Sequence, residues 1–415
     1  MTADRQTPAK ETAAPVTAAP IKAAQDAATP PASAFGGPAR VLFYVQHLLG
    51  IGHIARASRI AAALRQSGFV VTVVTGGAPV DGFPGAGIDH VALPAVKAGD
   101  AGFKGLFQLD GTPADEAFKA ARRDLLLSTF ERLQPDVLIT EAFPFGRRQM
   151  LFELIPLMEA AAARRPRPLI VASLRDILQE RPKPERDRET LDFVNRFYDQ
   201  ILVHGDPAFV RLEETYPLAA EVADKVRYTG LVAPPKPEPS PERYEVVVSA
   251  GGGAVGRELI EAALEAARMR KRAGPWALIT GPNLPQADFD RIRAAAPDGV
   301  EVFRFRRDFA SLLASATLSV SQAGYNTAGD ILQAGCRAVL IPFTTGGETE
   351  QGERAERLER LGLARVLKQE ALSPERLAIT IGEALALPRQ STASLDLDGA
   401  RHTARLLADS LRQRA

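Results

Sequence analysis

Short apolar runs punctuate this chain at regular intervals, and each is closed by glycine or a small polar turn. Arg40-Val-Leu-Phe-Tyr-Val45 is such a run, followed by Gly50-Ile-Gly-His-Ile-Ala55, a helical stretch from Arg56 to Ser67, and a second run at Phe69–Thr75. A continuous apolar run bounded by turn residues predicts a strand buried on both faces. Strand, glycine turn, helix, strand is the opening of a doubly wound parallel sheet. Further strands are predicted at Val137–Thr140, Leu169–Ser173 and Gln200–His204, with helical stretches between them such as Leu151 to Arg164.

The pattern then breaks and restarts. Val232-Ala-Pro-Pro-Lys-Pro-Glu-Pro-Ser-Pro241 places five prolines in ten residues, which neither a helix nor a central strand accepts. After it come a strand at Tyr244–Ser249, a glycine turn at Gly251–Gly256, a helix from Arg257 to Arg270 and a strand at Trp276–Thr280. Glu301–Phe305, Leu318–Val320 and Ala338–Ile341 continue the series. The predicted architecture is α/β: two Rossmann-like, doubly wound domains facing each other across a cleft. The expected divisions are a tail over 1–38, a first domain over 39–232, a proline-rich linker over 233–243, a second domain over 244–390, and a C-terminal segment over 391–415 with a helix at about Gly399 to Arg412. Its apolar stripe, Ala404, Leu406, Leu407 and Leu411, fits packing on either domain.

Composition narrows the classes. The chain has 415 residues with 51 basic and 50 acidic side chains, a balance unlike the basic excess of a nucleic-acid protein. One cysteine, Cys336, excludes an internal disulfide and a cysteine-cluster metal site. No apolar run reaches the roughly 20 residues that span a bilayer, and a cytoplasmic location is expected. Residues 1–34 are mostly Ala, Pro, Thr and Lys without the apolar stretch of a secretory signal, and disorder is the expectation there.

Both glycine turns fit a dinucleotide fingerprint, Gly50-x-Gly52-x-x-Ala55 and Gly251-x-Gly253-x-x-Gly256. That reading needs an acidic residue at the end of the next strand. The strands end instead in Thr75-Gly76-Gly77 and Thr280-Gly281-Pro282, which argues against it. The turns differ in chemistry. Three consecutive glycines in the second leave the backbone free to approach a phosphate, whereas the first carries His53 at a helix start, poised for acid–base work.

Three motifs occur in order: Gly50-x-Gly-His53; Ser249-Ala-Gly-Gly-Gly253; and Ser321-Gln-Ala-Gly-Tyr-Asn-Thr-Ala-Gly-Asp330 followed by Ile341-Pro-Phe343. Together they resemble the two-domain GT-B glycosyltransferases, in particular the family 28-like group that contains the bacterial peptidoglycan N-acetylglucosaminyltransferase MurG. The resemblance runs from about Arg40 to Leu385 and is strongest in the second half. It implies a nucleoside-diphosphate sugar, UDP-linked, held mainly by the second domain. The implied donor-binding residues are Gly251, Gly252, Gly253, Arg306, Gly324, Asn326, Thr327, Asp330, Glu350 and Gln351. Gly324 lets the backbone N–H groups of a helix start face the diphosphate, Thr327 adds a hydroxyl, and Asp330 takes the place of an acidic residue that receives ribose hydroxyls. Arg306 falls near the base, with a surface arginine as the competing reading. Glu350 and Gln351 fall where sugar hydroxyls are read, Glu350 standing where the peptidoglycan enzyme has an amide.

Attack on the donor's anomeric carbon requires a base for the acceptor hydroxyl and stabilisation of the departing diphosphate. His53 is the candidate base. Gly52, Glu141 and Asp206 are acceptor-side candidates at strand ends, where open α/β sheets bind ligands; His204 and Arg175-Asp176 lie near strand ends as well. Asp288-Phe-Asp290 and Asp396-Leu-Asp398 have the spacing of a metal-binding pair but do not follow strands, so no metal and no cofactor beyond the nucleotide sugar are expected. The stretch Phe143–Met158, apolar with Arg147 and Arg148, suits either a peripheral contact with the inner face of a membrane or a buried helix start. The leading reading is an inverting, metal-independent transferase moving a hexose or N-acetylhexosamine to an unknown, lipid-linked or other, acceptor hydroxyl. The rivals are a sugar-nucleotide epimerase or hydrolase on the same fold, and a non-catalytic nucleotide-sugar-binding protein.

Overall fold

The computed structural model of the chain describes residues 32–33, 35–48, 52–99, 105–179, 184–251, 256–270, 274–281, 284–344, 348–388 and 395–414. The first domain runs β1 (Arg40–Val45), α1 (Gly52–Gln66), β2 (Val70–Thr75), β3 (Asp89–Ala92), a small hairpin of β4 (Val96–Ala98) and β5 (Leu106–Gln108), and α2 (Glu116–Leu133). It continues with β6 (Val137–Glu141), α3 (Leu151–Ala163), β7 (Leu169–Arg175), α4 (Pro184–Phe197), β8 (Gln200–His204) and β9 (Val226–Tyr228). Seven of these strands form one parallel sheet in the order β3-β2-β1-β6-β7-β8-β9.

The second domain runs β10 (Val246–Ser249), α5 (Arg257–Met269), β11 (Trp276–Ile279), α6 (Gln286–Ala294), β12 (Val300–Phe303), α7 (Phe309–Ser315) and β13 (Leu318–Ser321). It is completed by α8 (Tyr325–Ala334), β14 (Arg337–Leu340), α9 (Glu350–Arg360), β15 (Arg365–Val366) and α10 (Pro374–Leu385), and is followed by α11 (Gly399–Arg414). Its sheet is also parallel, ordered β12-β11-β10-β13-β14-β15.

Both strand orders reverse direction once, between β1 and β6 and between β10 and β13. Loops part at such points, leaving a crevice beyond the carboxyl ends of the strands. The switch points are where the turns after β1, β6, β10 and β13 carry the residues singled out above.

The apolar runs are continuous because each central strand is covered on both faces. Val41, Phe43 and Val45 of β1 pack with Ala57, Ile60, Ala61 and Leu64 of α1, while the alternate Leu42 and Tyr44 pack with Leu126, Phe130 and Leu154 beneath α2 and α3. The C-terminal helix settles the choice its sequence leaves open. Ala404, Leu407 and Ala408 join the first domain's core, so the chain crosses back after the second domain. One sequence expectation is corrected and an open one is narrowed. Ser33 is buried and donates to Asp136, and Ala32 bridges Pro38, so the ordered chain begins before Arg40. In Phe143–Met158, Phe143, Phe145, Met150, Leu154, Leu157 and Met158 are core residues, because α3 turns its apolar face onto the sheet. Leu151, Phe152 and Ile155 of the same segment are partly exposed. Among the described residues no helix is long and apolar enough to cross one.

Candidate active site

Helix α1 begins at Gly52, so His53 sits in its first turn, directly above the end of β6. Glu141, the last residue of β6, is fully buried and points up at it: His53 Nδ1 lies 3.0 Å from Glu141 Oε1. Arg56, one turn along α1, pairs with the same carboxylate oxygen, and Ser173 Oγ donates to Oε2 at 2.6 Å. Burial alone would raise the Glu141 carboxyl, but the Arg56 charge and the His53 bond outweigh it and hold Glu141 well below the usual carboxylate range. Burial pushes His53 down to about 4, against the hydrogen bond it donates to Glu141 and with the charges of Arg147 and Arg56 adding to the effect. At neutral pH His53 is therefore a neutral imidazole facing a carboxylate. Its Nδ1 carries the proton and donates to Glu141, which leaves Nε2 as the basic atom. The side chain is 22% exposed.

Beneath the carboxylate a chain of buried polar groups continues. Since Ser173 gives its proton to Glu141, His204 Nε2, 2.9 Å away, donates to Ser173 Oγ. His204 Nδ1 then faces Thr229 Oγ1 at 2.9 Å as acceptor. Burial, with Arg56 nearby, lowers His204 to about 3, so it stays neutral and keeps this direction of donation. The phenol of Tyr325, the first residue of α8, donates to the His204 carbonyl at 2.8 Å and receives the Val232 N–H at 2.8 Å. The Arg56 guanidinium lies over its ring, 5.0 Å from the centroid. The base of one domain and the helix start of the other thus share a framework.

On the second domain, α8 opens at Gly324 with no side-chain cap, so first-turn N–H groups face the cleft. A Cβ at Gly324 would meet nothing within 4 Å, and its φ of −63 suits any residue. Protein packing does not require glycine here; open approach to the helix end does. Thr327, in the same turn, is half-buried. Gly251 follows β10 with φ +75, the left-handed region that glycine adopts without strain. Gly252 and Gly253 lie outside the described residues, as does Gly50.

Helix α8 is docked on α1. Asn326 Nδ2 donates to the Gly52 carbonyl at 3.1 Å, and Arg59 donates to Asn326 Oδ1 at 3.3 Å and to Asp330 Oδ1 at 3.4 Å. Burial pushes Asp330 up to about 6 against the pull of Arg59. Gln351 holds two loops together: its Oε1 accepts from Ala323 N at 3.1 Å and Phe343 N at 3.2 Å.

Three positions do not match their expected roles. Both oxygens of Glu350 are committed, one to Arg354 at 2.7 Å and the other to Arg175 of the first domain. It belongs to a buried interdomain cluster completed by Arg354 and Asp176 at 2.7 Å. Arg306 is saturated by Glu242 at 2.9 Å and Asp308 at 2.8 Å and lies over Phe303; the neighbouring Phe305, 64% exposed past the end of β12, is the open side chain there. Asp206 accepts from the Ala208 and Asp396 N–H groups at 2.7 and 2.8 Å, anchoring the returning C-terminal segment rather than an acceptor. The Asp288 and Asp396 pairs are tied to Arg291 and His402. Among the described residues no cluster of three metal-ligating side chains occurs.

Sequence reasoning missed Arg56 and Arg59, and read Arg147 only as part of the stretch Phe143–Met158. Arg56 had a readable signal, since a residue three positions after His53 shares its helix face.

Residues 246–409 match the model of the glycosyltransferase family 28 C-terminal domain. The match falls on the second domain and α11. The matched residues include the switch point between β10 and β13, hence Gly251 and α8. A UDP-N-acetylglucosamine–N-acetylmuramyl-(pentapeptide) pyrophosphoryl-undecaprenol N-acetylglucosamine transferase of Gloeobacter violaceus is 30% identical over 184 residues, covering 42% of this chain and 50% of that protein. The chain spans about half the length of the curated relatives it matches. The whole fold is GT-B. Acinetobacter baumannii MurG superposes with a TM-score of 0.58 at 16% identity, covering 91% of this chain and 100% of that one. The calicheamicin glycosyltransferase CalG4 gives 0.58 at 17% identity, covering 90% and 94%.

Proposed function

We propose that the protein is an inverting, metal-independent glycosyltransferase that moves a hexose or N-acetylhexosamine from a UDP-sugar to a hydroxyl of a lipid-linked acceptor. The observation that carries this reading is the neutral His53, its Nδ1–H held by Glu141 and its Nε2 free to take a proton. That is the state a general base needs before it activates a hydroxyl. Inversion is supported by what Glu141 cannot do. Its oxygens are occupied by Arg56, His53 and Ser173, so Glu141 is not free to form a glycosyl-enzyme, and the acceptor oxygen attacks directly.

The donor side supplies charge stabilisation. The uncapped start of α8 directs N–H groups at the departing diphosphate, and this stabilisation involves no divalent ion. Asp330 Oδ2 is the oxygen left beside Arg59 for a ribose hydroxyl. The family 28 match and the relatives named as N-acetylglucosamine transferases support the donor class and the lipid-linked acceptor. An epimerase would need a second acid–base group positioned across the sugar ring from His53.

The test is turnover of UDP-N-acetylglucosamine and UDP-glucose with polyprenyl-linked saccharide acceptors, with the new linkage examined by NMR. A product of inverted anomeric configuration, reduced roughly 10²–10⁴-fold in rate by His53→Gln, is the predicted result. Retention of configuration, or release of an epimerised UDP-sugar, would refute it.

A further inference from the structure

Arg56 is buried with an incomplete set of hydrogen-bond partners. One terminal nitrogen, Nη2, meets Glu141 Oε1, and the side chain is 2% exposed. Its Nε is shut off from solvent and makes no hydrogen bond among the described residues. A guanidinium taken out of water is costly unless its N–H groups are compensated. What Arg56 finds in place of a further acceptor is the face of Tyr325, with the ring centroid 5.0 Å away. The negative face of an aromatic ring attracts a cation, most strongly where water is excluded.

Tyr325 comes from the other domain, as the first residue of α8 and next to Gly324. Its ring is held from several sides. The phenol donates to the His204 carbonyl and receives the Val232 N–H, each at 2.8 Å. A second guanidinium, that of Arg354, lies 5.7 Å from the centroid. Arg354 in turn donates to Asp176 Oδ2 at 3.0 Å and to the carbonyl of Ala323, the residue before Gly324, at 2.9 Å. One ring therefore meets both the cation that holds Glu141 and the cation that braces the turn into α8.

We propose that Tyr325 is a positioning residue: from the donor side of the cleft its ring holds the Arg56 guanidinium on Glu141 and so keeps His53 in its basic, neutral form. The role rests on the transferase reading for what His53 does next, while the state of the imidazole is measurable without turnover. The sign follows from the charges. Besides Arg56, the groups facing this cluster are Arg59 on α1, Arg147 after β6, Asp176 after β7 and His204 at the end of β8. In place, the Arg56 charge opposes protonation of both His53 and Glu141. Freed from the ring, Arg56 no longer offsets the pull of Glu141, and His53 takes up a proton at higher pH.

The experiment is an NMR pH titration of the full chain with isotope-labelled histidine, the His53 signal being assigned by its loss in His53→Gln. The parent should show a neutral imidazole with its proton on Nδ1, protonating at about 4. Tyr325→Leu removes the ring, and His53 should then protonate about one pH unit or more higher. Tyr325→Phe loses both phenol hydrogen bonds but keeps the face. It should melt lower than the parent and still protonate His53 where the parent does, which separates a structural role from a positioning one. Trifluorophenylalanine at position 325 has the shape of Phe with a depleted face; it should move the value up again, and it carries the test if Tyr325→Leu does not fold. In an Arg56→Gln background, Tyr325→Leu should add no further shift, because the ring acts through Arg56. A shift in Tyr325→Phe as large as in Tyr325→Leu, no difference between Phe and its fluorinated form, or a further shift without Arg56 would overturn the proposal. If His53 behaves as predicted and no UDP-sugar is turned over, the transferase reading falls and the positioning role of Tyr325 stands.

Discussion

The active-site imidazole shows how far a buried carboxylate reaches. Glu141 is held ionised by Arg56 and fixes the His53 tautomer, so replacing it tests the tautomer rather than the base. Glu141→Gln keeps the shape but allows the amide to donate to Nδ1, which places the ring proton on Nε2. Turnover should fall by two or more orders of magnitude while UDP affinity is kept. The pH dependence has a definite sign. Base catalysis by a group at about 4 predicts that kcat/KM holds down to that pH rather than failing near the ordinary histidine value of 6.5. Because the folded value lies below the unfolded one, the unfolded chain binds more protons between about 6.5 and 4, and stability is lost as pH falls through that window. His204, lowered to about 3, acts in the same direction. Asp330, raised to about 6, acts oppositely and contributes stability that is lost as pH rises through that value. An acid limb near 6.5 that Asp330→Asn leaves in place would contradict the burial of His53, since Asp330, raised to about 6, titrates close by. In the sequence, His53 and Glu141 were each visible as strand-end or helix-start polar residues. Their pairing was not, since 88 residues separate them and only the β1–β6 neighbourhood brings them together. Asp206, Glu350 and Arg306 fail for the converse reason: a motif gives a position, and partners elsewhere in the chain decide what that position is free to do.

At the level of elements, apolar runs and glycine turns made the strands and helices legible, because parallel strands buried on both faces leave a continuous signature. The short edge strands β3, β9 and β15 escaped, being partly exposed and three or four residues or fewer. The two glycines that meet the second sheet differ in kind. Gly256 is a packing glycine, since a Cβ there would lie 2.0 Å from Ala250 Cβ. Gly324 faces open space. Gly324→Val should therefore leave the thermal midpoint close to the parent while greatly weakening UDP binding, as a side chain now blocks the helix end. A matched loss of stability and binding would mean that Gly324 serves the fold and not the ligand.

The whole molecule is arranged so that two switch-point crevices face each other, and the contacts across the cleft are polar and specific. Arg59, Asn326 and Asp330 join α1 to α8, while Arg175 and Asp176 meet Glu350 and Arg354 deeper in. Ile177, Phe209 and Val210 share an apolar cluster with Tyr325, Ala355 and Leu358, so the halves are also joined by a hydrophobic seam. Two facing domains were legible from the repeated opening and the proline-rich break. The return of α11 to the first domain was not, because its stripe of Ala404, Leu406, Leu407 and Leu411 fits either core. This division of labour, donor on one side and base on the other, is the central claim, and calorimetric titration with UDP tests it most directly, with ADP, GDP and TDP as controls. The account predicts selective UDP binding that Asp330→Ala weakens and His53→Gln spares. Binding of none of these nucleotides, or equal loss in both variants, would contradict it.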